Sequence, residues 1–146
     1  MEQAQGFYLI SVVAQTLDMH PQTLRKYERA GFVEPLRMGT LRTYSDEDVG
    51  RLRLIKHFVD GLGLNLAGVE VALSFTGELL EMRRRLTQTG ASSRGTADSL
   101  RQVDRMLAGL GLRVVKRRER GRRSEGPGSA WPAASAQESI EFSAPR

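Results

Sequence analysis

Apolar residues recur along this chain in short groups, and the spacing within each group predicts a different element. Phe7-Tyr8-Leu9-Ile10 is a brief apolar stretch, after which Ser11 stands where an N-cap belongs. The helix it opens carries Val12, Val13, Ala14 and Leu17 on one face and ends near Asp18-Met19. His20-Pro21 restarts the chain, since proline in the first helical turn gives up an N–H that lacks a partner there anyway. Gln22 to Ala30 reads as a second helix, stopped by Gly31. Two short helices joined by a turn of a few residues predict a helix-turn-helix.

Beyond Gly31 the period shortens. Phe32 to Tyr44 reads as two short extended pieces around Met38-Gly39-Thr40, a small hairpin with a glycine turn. Ser45-Asp46-Glu47-Asp48 is a capping box, in which Ser45 caps and Asp48 reaches back to its N–H. The three carboxylates also suit the positive end of the helix dipole. Val49, Leu52, Ile55 and Val59 form the apolar stripe of that helix, which Gly61-Leu62-Gly63 breaks; Asn65 caps the next one, with Leu66, Val69 and Leu73. Phe75, Leu79, Met82 and Leu86 then fall into coiled-coil spacing, and so do Leu100, Val103, Leu107, Leu110 and Val114. Residues 87–96 have the composition of a flexible linker, and the Gly/Pro/Ala/Ser-rich stretch after Gly121, with Trp131, that of a disordered tail.

Composition narrows the function. The chain has 146 residues and no cysteine, which excludes disulfides, thiolate metal sites and thiol redox chemistry. No signal-peptide pattern and no membrane-length apolar run is visible, so the expected location is the cytoplasm, on the nucleoid. No Ser/His/Asp or Cys/His set, phosphate-cradling glycine loop or HExxH spacing is present; an enzyme is not expected, nor a cofactor or metal. The net charge of +5 points to a polyanion, yet most of the surplus lies between Arg113 and Arg123, a nonspecific DNA arm or a solubilising segment. A reading helix needs polar side chains near its start. Gln22 can pair with adenine, Arg25 with guanine, and Thr23 can meet a phosphate or a thymine methyl.

The run Thr23-Leu24-Arg25-Lys26-Tyr27-Glu28-Arg29-Ala30-Gly31, the wing ending Arg42-Thr43-Tyr44 and the helix opening Ser45-Asp46-Glu47-Asp48 together resemble the MerR family of transcription regulators, over about residues 8–76. His20-Pro21-Gln22-Thr23-Leu24-Arg25 and Gly63-Leu64-Asn65-Leu66-Ala67-Gly68-Val69 resemble its heat-shock repressor subgroup, HspR. The resemblance implies a mainly α fold, with a winged helix-turn-helix DNA-binding domain over 7–76 and a β-hairpin wing. A helical dimerisation region over 77–114 and a basic run with tail over 115–146 complete the expected organisation. It implies DNA contacts by Gln22, Thr23, Arg25, Lys26, Tyr27, Arg37, Arg42 and Tyr44, with Tyr27 and Tyr44 equally open to a core role. Dimerisation is expected through Phe75, Leu79, Met82 and Leu86. The implied function is repression of heat-shock genes by a homodimer on an inverted-repeat operator, with the chaperone DnaK as co-repressor. Two other readings are an effector-sensing activator and a chaperone-responsive adaptor whose C-terminal region binds protein partners.

Overall fold

The computed structural model describes residues 6–90, 93–116 and 138–142. They belong to two compact units, one ending at Lys56 and the other starting at His57 and including residues 138–142.

In the first unit β1 (Phe7–Leu9) runs into α1 (Ile10–Leu17), followed by α2 (Pro21–Arg29), β2 (Leu36–Met38), β3 (Leu41–Ser45) and α3 (Asp46–Lys56). The three strands form an antiparallel sheet with β3 central; Tyr8 faces Tyr44, and Arg37 faces Arg42. Beyond the expected hairpin, Phe7–Leu9 supplies a third strand. Pairing of Leu9 with Thr43 holds that strand up to the helix start, so α1 begins at Ile10 with Leu9 as N-cap and no side-chain cap. Ser11 therefore lies inside the first turn and is not the expected cap. At the other end Asp18 takes a left-handed conformation (φ 51°), and the Lys56 ammonium donates to Leu17 O (2.5 Å) and Asp18 O (3.3 Å), satisfying carbonyls that α1 leaves over.

The capping box forms as expected. Ser45 Oγ accepts from Asp48 N (3.1 Å), and Asp48 Oδ2 accepts from Ser45 N (3.0 Å). Val49, Leu52 and Ile55 are fully buried, together with Val13, Leu24 and Tyr44. Beside them β1 is tied to α3, where Asp46 accepts from Gly6 N and the Tyr8 hydroxyl, both at 2.9 Å. Burial and this carboxylate raise the Tyr8 pKa.

The second unit opens with a π-helical turn, His57–Gly61, and a left-handed Gly63 (φ 68°). Asn65 Oδ1 then accepts from Gly68 N (2.9 Å) and starts α4 (Leu66–Gln88), about 35 Å long. Next come α5 (Arg94–Gly109), β4 (Leu112–Lys116) and β5 (Glu138–Phe142), the strands antiparallel with Val114 opposite Ile140. Three expectations change here. The 87–96 linker is partly helical: residues 87 and 88 end α4, and 94–96 open α5, where Ser93 Oγ caps by accepting from Thr96 N (3.1 Å). The second heptad run stops at Leu110: Gly111 (φ 75°) turns the chain and Val114 enters a strand. Val103 and Leu107 are buried in this unit's own core. Finally, residues 138–142 of the expected tail form a strand. Trp131 and residues 117–123 of the basic run lie outside the described residues.

Candidate nucleic-acid interface

The helix α2 is built by local rules at both ends. At its start His20 is the cap: its Nδ1 accepts from Gln22 N (3.1 Å), and its carbonyl accepts from Thr23 N (2.9 Å) and Leu24 N (3.3 Å). Pro21 has no N–H. His20 thus engages the N–H groups of Gln22, Thr23 and Leu24 at this terminus. At its end Gly31 adopts φ 78°, Gly31 N donates to Glu28 O (3.0 Å) and Phe32 N to Tyr27 O (3.0 Å). This is a Schellman motif, and the Tyr27 and Phe32 rings, 6.2 Å apart, supply its hydrophobic contact.

Those ends fix which way the helix faces. Leu24 and Tyr27 point into the core. Gln22, Lys26 and Arg29 are exposed and Arg25 half-buried, and residues three and four apart share one helix face. The result is a polar, cationic strip along α2, with Thr23 half-buried beside it. Arg29, which the sequence reading does not select, belongs to this strip; its spacing from Arg25 and Gln22 is the signal that identifies it.

The wing places its cations differently. Arg37 and Arg42 are cross-strand partners, and Glu28 of α2 accepts from both, from Arg42 Nε at 2.7 Å and from Arg37 Nη2 at 3.5 Å. Glu28 is the second residue that sequence reasoning passed over, since only contact distances distinguish it from an ordinary surface acid. At the hairpin tip Gly39 (φ 66°) makes the turn, and Leu36, Met38 and Leu41 are exposed. Tyr44 is completely buried, and its hydroxyl has no hydrogen-bond partner among the described residues. Burial, and next the Glu28 carboxylate, raise its pKa, so the phenol stays neutral. Of the eight candidates, Gln22, Arg25 and Lys26 share one exposed face, Arg37 and Arg42 meet at Glu28, Thr23 lies beside the strip, and Tyr27 and Tyr44 are interior.

In the second unit Phe75 (58% exposed) and Met82 (52%) lie open on α4, with Leu79 and Leu86 half-buried. An apolar groove of about 740 Å³ runs beside them, lined by Leu64, Ala67, Val71, Phe75, Leu79 and Met106 among others. Within the run Arg83-Arg84-Arg85, Arg83 is largely buried, donating to Asp104 and Glu138 at 2.9 Å each. Arg84 and Arg85 hold the exposed Glu81 carboxyl at a pKa of about 2 by hydrogen bonding. Among the described residues no group of acidic, histidine or cysteine side chains could hold a metal ion, and no helix is long and apolar enough to cross a membrane.

Comparison with known proteins agrees with this geometry. Residues 8–76 match the MerR HTH family regulatory protein description. The chain is 38% identical over 96 residues to the heat shock protein HspR of Streptomyces coelicolor, covering 65% of this chain and 64% of that protein. It is 39% identical over 71 residues to the HTH-type transcriptional regulator MlrA of Salmonella typhimurium, covering 47% of this chain and 29% of that one. The MlrA of Escherichia coli matches over the same length at 38%. The chain thus spans just under two thirds of the HspR relative and less than a third of the MlrA relatives. No solved structure matches. The helix-turn-helix, its wing and these likenesses together make residues 8–76 a regulatory domain of the MerR family, in a chain similar to HspR.

Proposed function

We propose that this regulator is a sequence-specific repressor of heat-shock genes that binds an inverted-repeat operator as a homodimer. The observation that carries the proposal is the polar strip on α2, with Gln22, Lys26 and Arg29 exposed and Arg25 half-buried among them, beside a wing whose tip also stands free. In the major groove such a strip offers an amide for adenine and a guanidinium for guanine, while Lys26, Arg29 and Arg37 meet phosphates. Tyr27 and Tyr44 serve from inside the unit, holding the helix and β3 in place. The likeness to HspR supports heat-shock genes as targets. DnaK as co-repressor is the partner that the family resemblance adds.

The exposed stripe on α4 supports the dimer. Val71 and Leu86, and likewise Phe75 and Met82, are centred on one point between Glu78 and Leu79. Antiparallel packing of α4 on a second copy therefore sets Phe75 against the partner's Met82 and Val71 against the partner's Leu86. Such a two-fold pair matches a two-fold operator.

The test is a binding series on operator and random DNA, coupled to sedimentation. Gln22→Ala and Arg25→Ala each lower discrimination, by about 1–3 kcal/mol per lost base contact. Arg37→Ala weakens both DNAs alike and flattens the salt dependence. Phe75→Asp shifts the chain to monomer and removes operator binding at nanomolar protein while its circular dichroism spectrum stays that of the parent. Equal losses on both DNAs for Gln22→Ala and Arg25→Ala refute the reading role, and a Phe75→Asp chain that remains dimeric refutes the interface.

A further inference from the structure

Glu28 occupies a position that is unfavourable unless it has a task. It lies in the last turn of α2, where the helix dipole disfavours a carboxylate. Arg37 and Arg42 stand directly opposite each other on adjacent strands, where like charges repel. The Glu28 carboxylate answers both problems, although unequally. It holds Arg42 Nε at 2.7 Å with both side chains about four-fifths covered, whereas Arg37 lies at 3.5 Å and is 62% exposed. Arg42 is thus clamped and Arg37 tethered, and the clamp joins the wing to α2.

We infer that Glu28 is a positioning residue for DNA recognition, fixing the wing on α2 so that phosphate contacts of the wing set the register in which Gln22 and Arg25 meet base edges. This rests on the DNA-reading role proposed above. Phosphate contacts orient a protein on the duplex but carry no sequence information. With the wing held, they constrain α2 to one register; with the wing released, they persist on any DNA and constrain nothing. Loss of the clamp therefore lowers discrimination without lowering affinity for random DNA. Random-DNA affinity rises, because one negative charge leaves a surface that faces phosphates.

Glu28→Gln keeps an accepting oxygen and removes the charge. The expected result is a fall of about fivefold in the ratio of operator to random affinity, with tighter random binding and a steeper salt dependence. Placed on an Arg42→Gln background, Glu28→Gln lowers the ratio no further, because the clamp is already open. An equal loss on both DNAs, an unchanged ratio, or full additivity with Arg42→Gln overturns the inference. The Arg42 Nε–H signal in nitrogen-15 NMR of the DNA-free chain provides a reading independent of DNA. It should exchange slowly with solvent in the parent and fast in Glu28→Gln; a parent signal exchanging as fast as that of Arg37 also overturns the clamp. A parent chain that fails to distinguish operator from random DNA refutes the DNA-reading proposal instead, and the NMR signal then decides on the clamp alone.

Discussion

Tyr44→Phe separates a core role from a DNA-contacting one more cleanly than any truncation, because it removes a single oxygen. In this structure that oxygen is fully buried and has no hydrogen-bond partner among the described residues. Leaving such a hydroxyl unsatisfied costs about 1–3 kcal/mol, and removing it recovers part of that while losing the packing of one atom. The expected net effect at pH 7 is a gain of about 0.5–1 kcal/mol, or roughly 2–3 °C in melting temperature for a chain of this size. The pH dependence has a definite sign. Burial raises the pKa of the folded phenol above the ordinary value near 10, so above that pH the unfolded chain loses this proton while the folded chain keeps it. Stability is therefore complete below about pH 10 and falls as the pH climbs further, and the advantage of Tyr44→Phe should widen from pH 8 to pH 11. Tyr8, raised in the same direction, keeps some alkaline loss in the variant. Urea titrations followed by circular dichroism at both pH values read the stability, and operator titration should show unchanged affinity. A loss of more than about 1 kcal/mol at pH 7, or a tenfold loss of operator binding by a fully folded variant, would mean that the hydroxyl has a partner, and the burial argument would fail.

Two further substitutions test the elements that hold the candidate interface and the second unit. Gly31→Ala adds a methyl group with free space around it but at φ 78°, so the cost is backbone strain alone, about 1–2 kcal/mol in urea unfolding, with Gly31→Asn losing less; no loss would show that the end of α2 does not need the left-handed turn. Arg83→Met leaves the Glu138 carboxylate largely buried without its cation, and about 3 kcal/mol should be lost, part of it recovered by adding Glu138→Gln. A loss below about 0.5 kcal/mol would instead class the Arg83 contacts as an ordinary solvated pair.

Much of the first unit is legible in the sequence because local rules decide it. The capping box at Ser45 and Asp48, Gly31 as a left-handed stop and the turn at Gly39 are each specified within a few residues. What escapes the sequence depends on distant partners. The start of α1 is set by Leu9 pairing with Thr43, and the α1 C-terminus is completed by Lys56. Glu28 looks like any exposed acid until the hairpin brings Arg42 to it. In the second unit, heptad spacing continues from Leu107 through Leu110 to Val114 although the backbone turns at Gly111, since Leu110 and Val114, four apart, share a face in a helix or a strand alike. The strand Glu138–Phe142 does carry a signal, the alternation of Ile140 and Phe142, hidden beside a stretch of disorder-like composition. Its anchors, Arg83 on Glu138 and the His57 ring 5.3 Å from Phe142, are 55 and 85 residues away in the chain.

Footprinting the full chain on heat-shock promoters and on its own upstream region, in excess random DNA, shows whether the strip on α2 reads a two-fold operator. An inverted repeat should be protected, with half-sites on one face of the duplex, and the protection should be lost with Arg25→Ala while the variant keeps its fold. Diffuse protection that random DNA competes away, or a protected window unaffected by Arg25→Ala, would contradict the reading role of the strip.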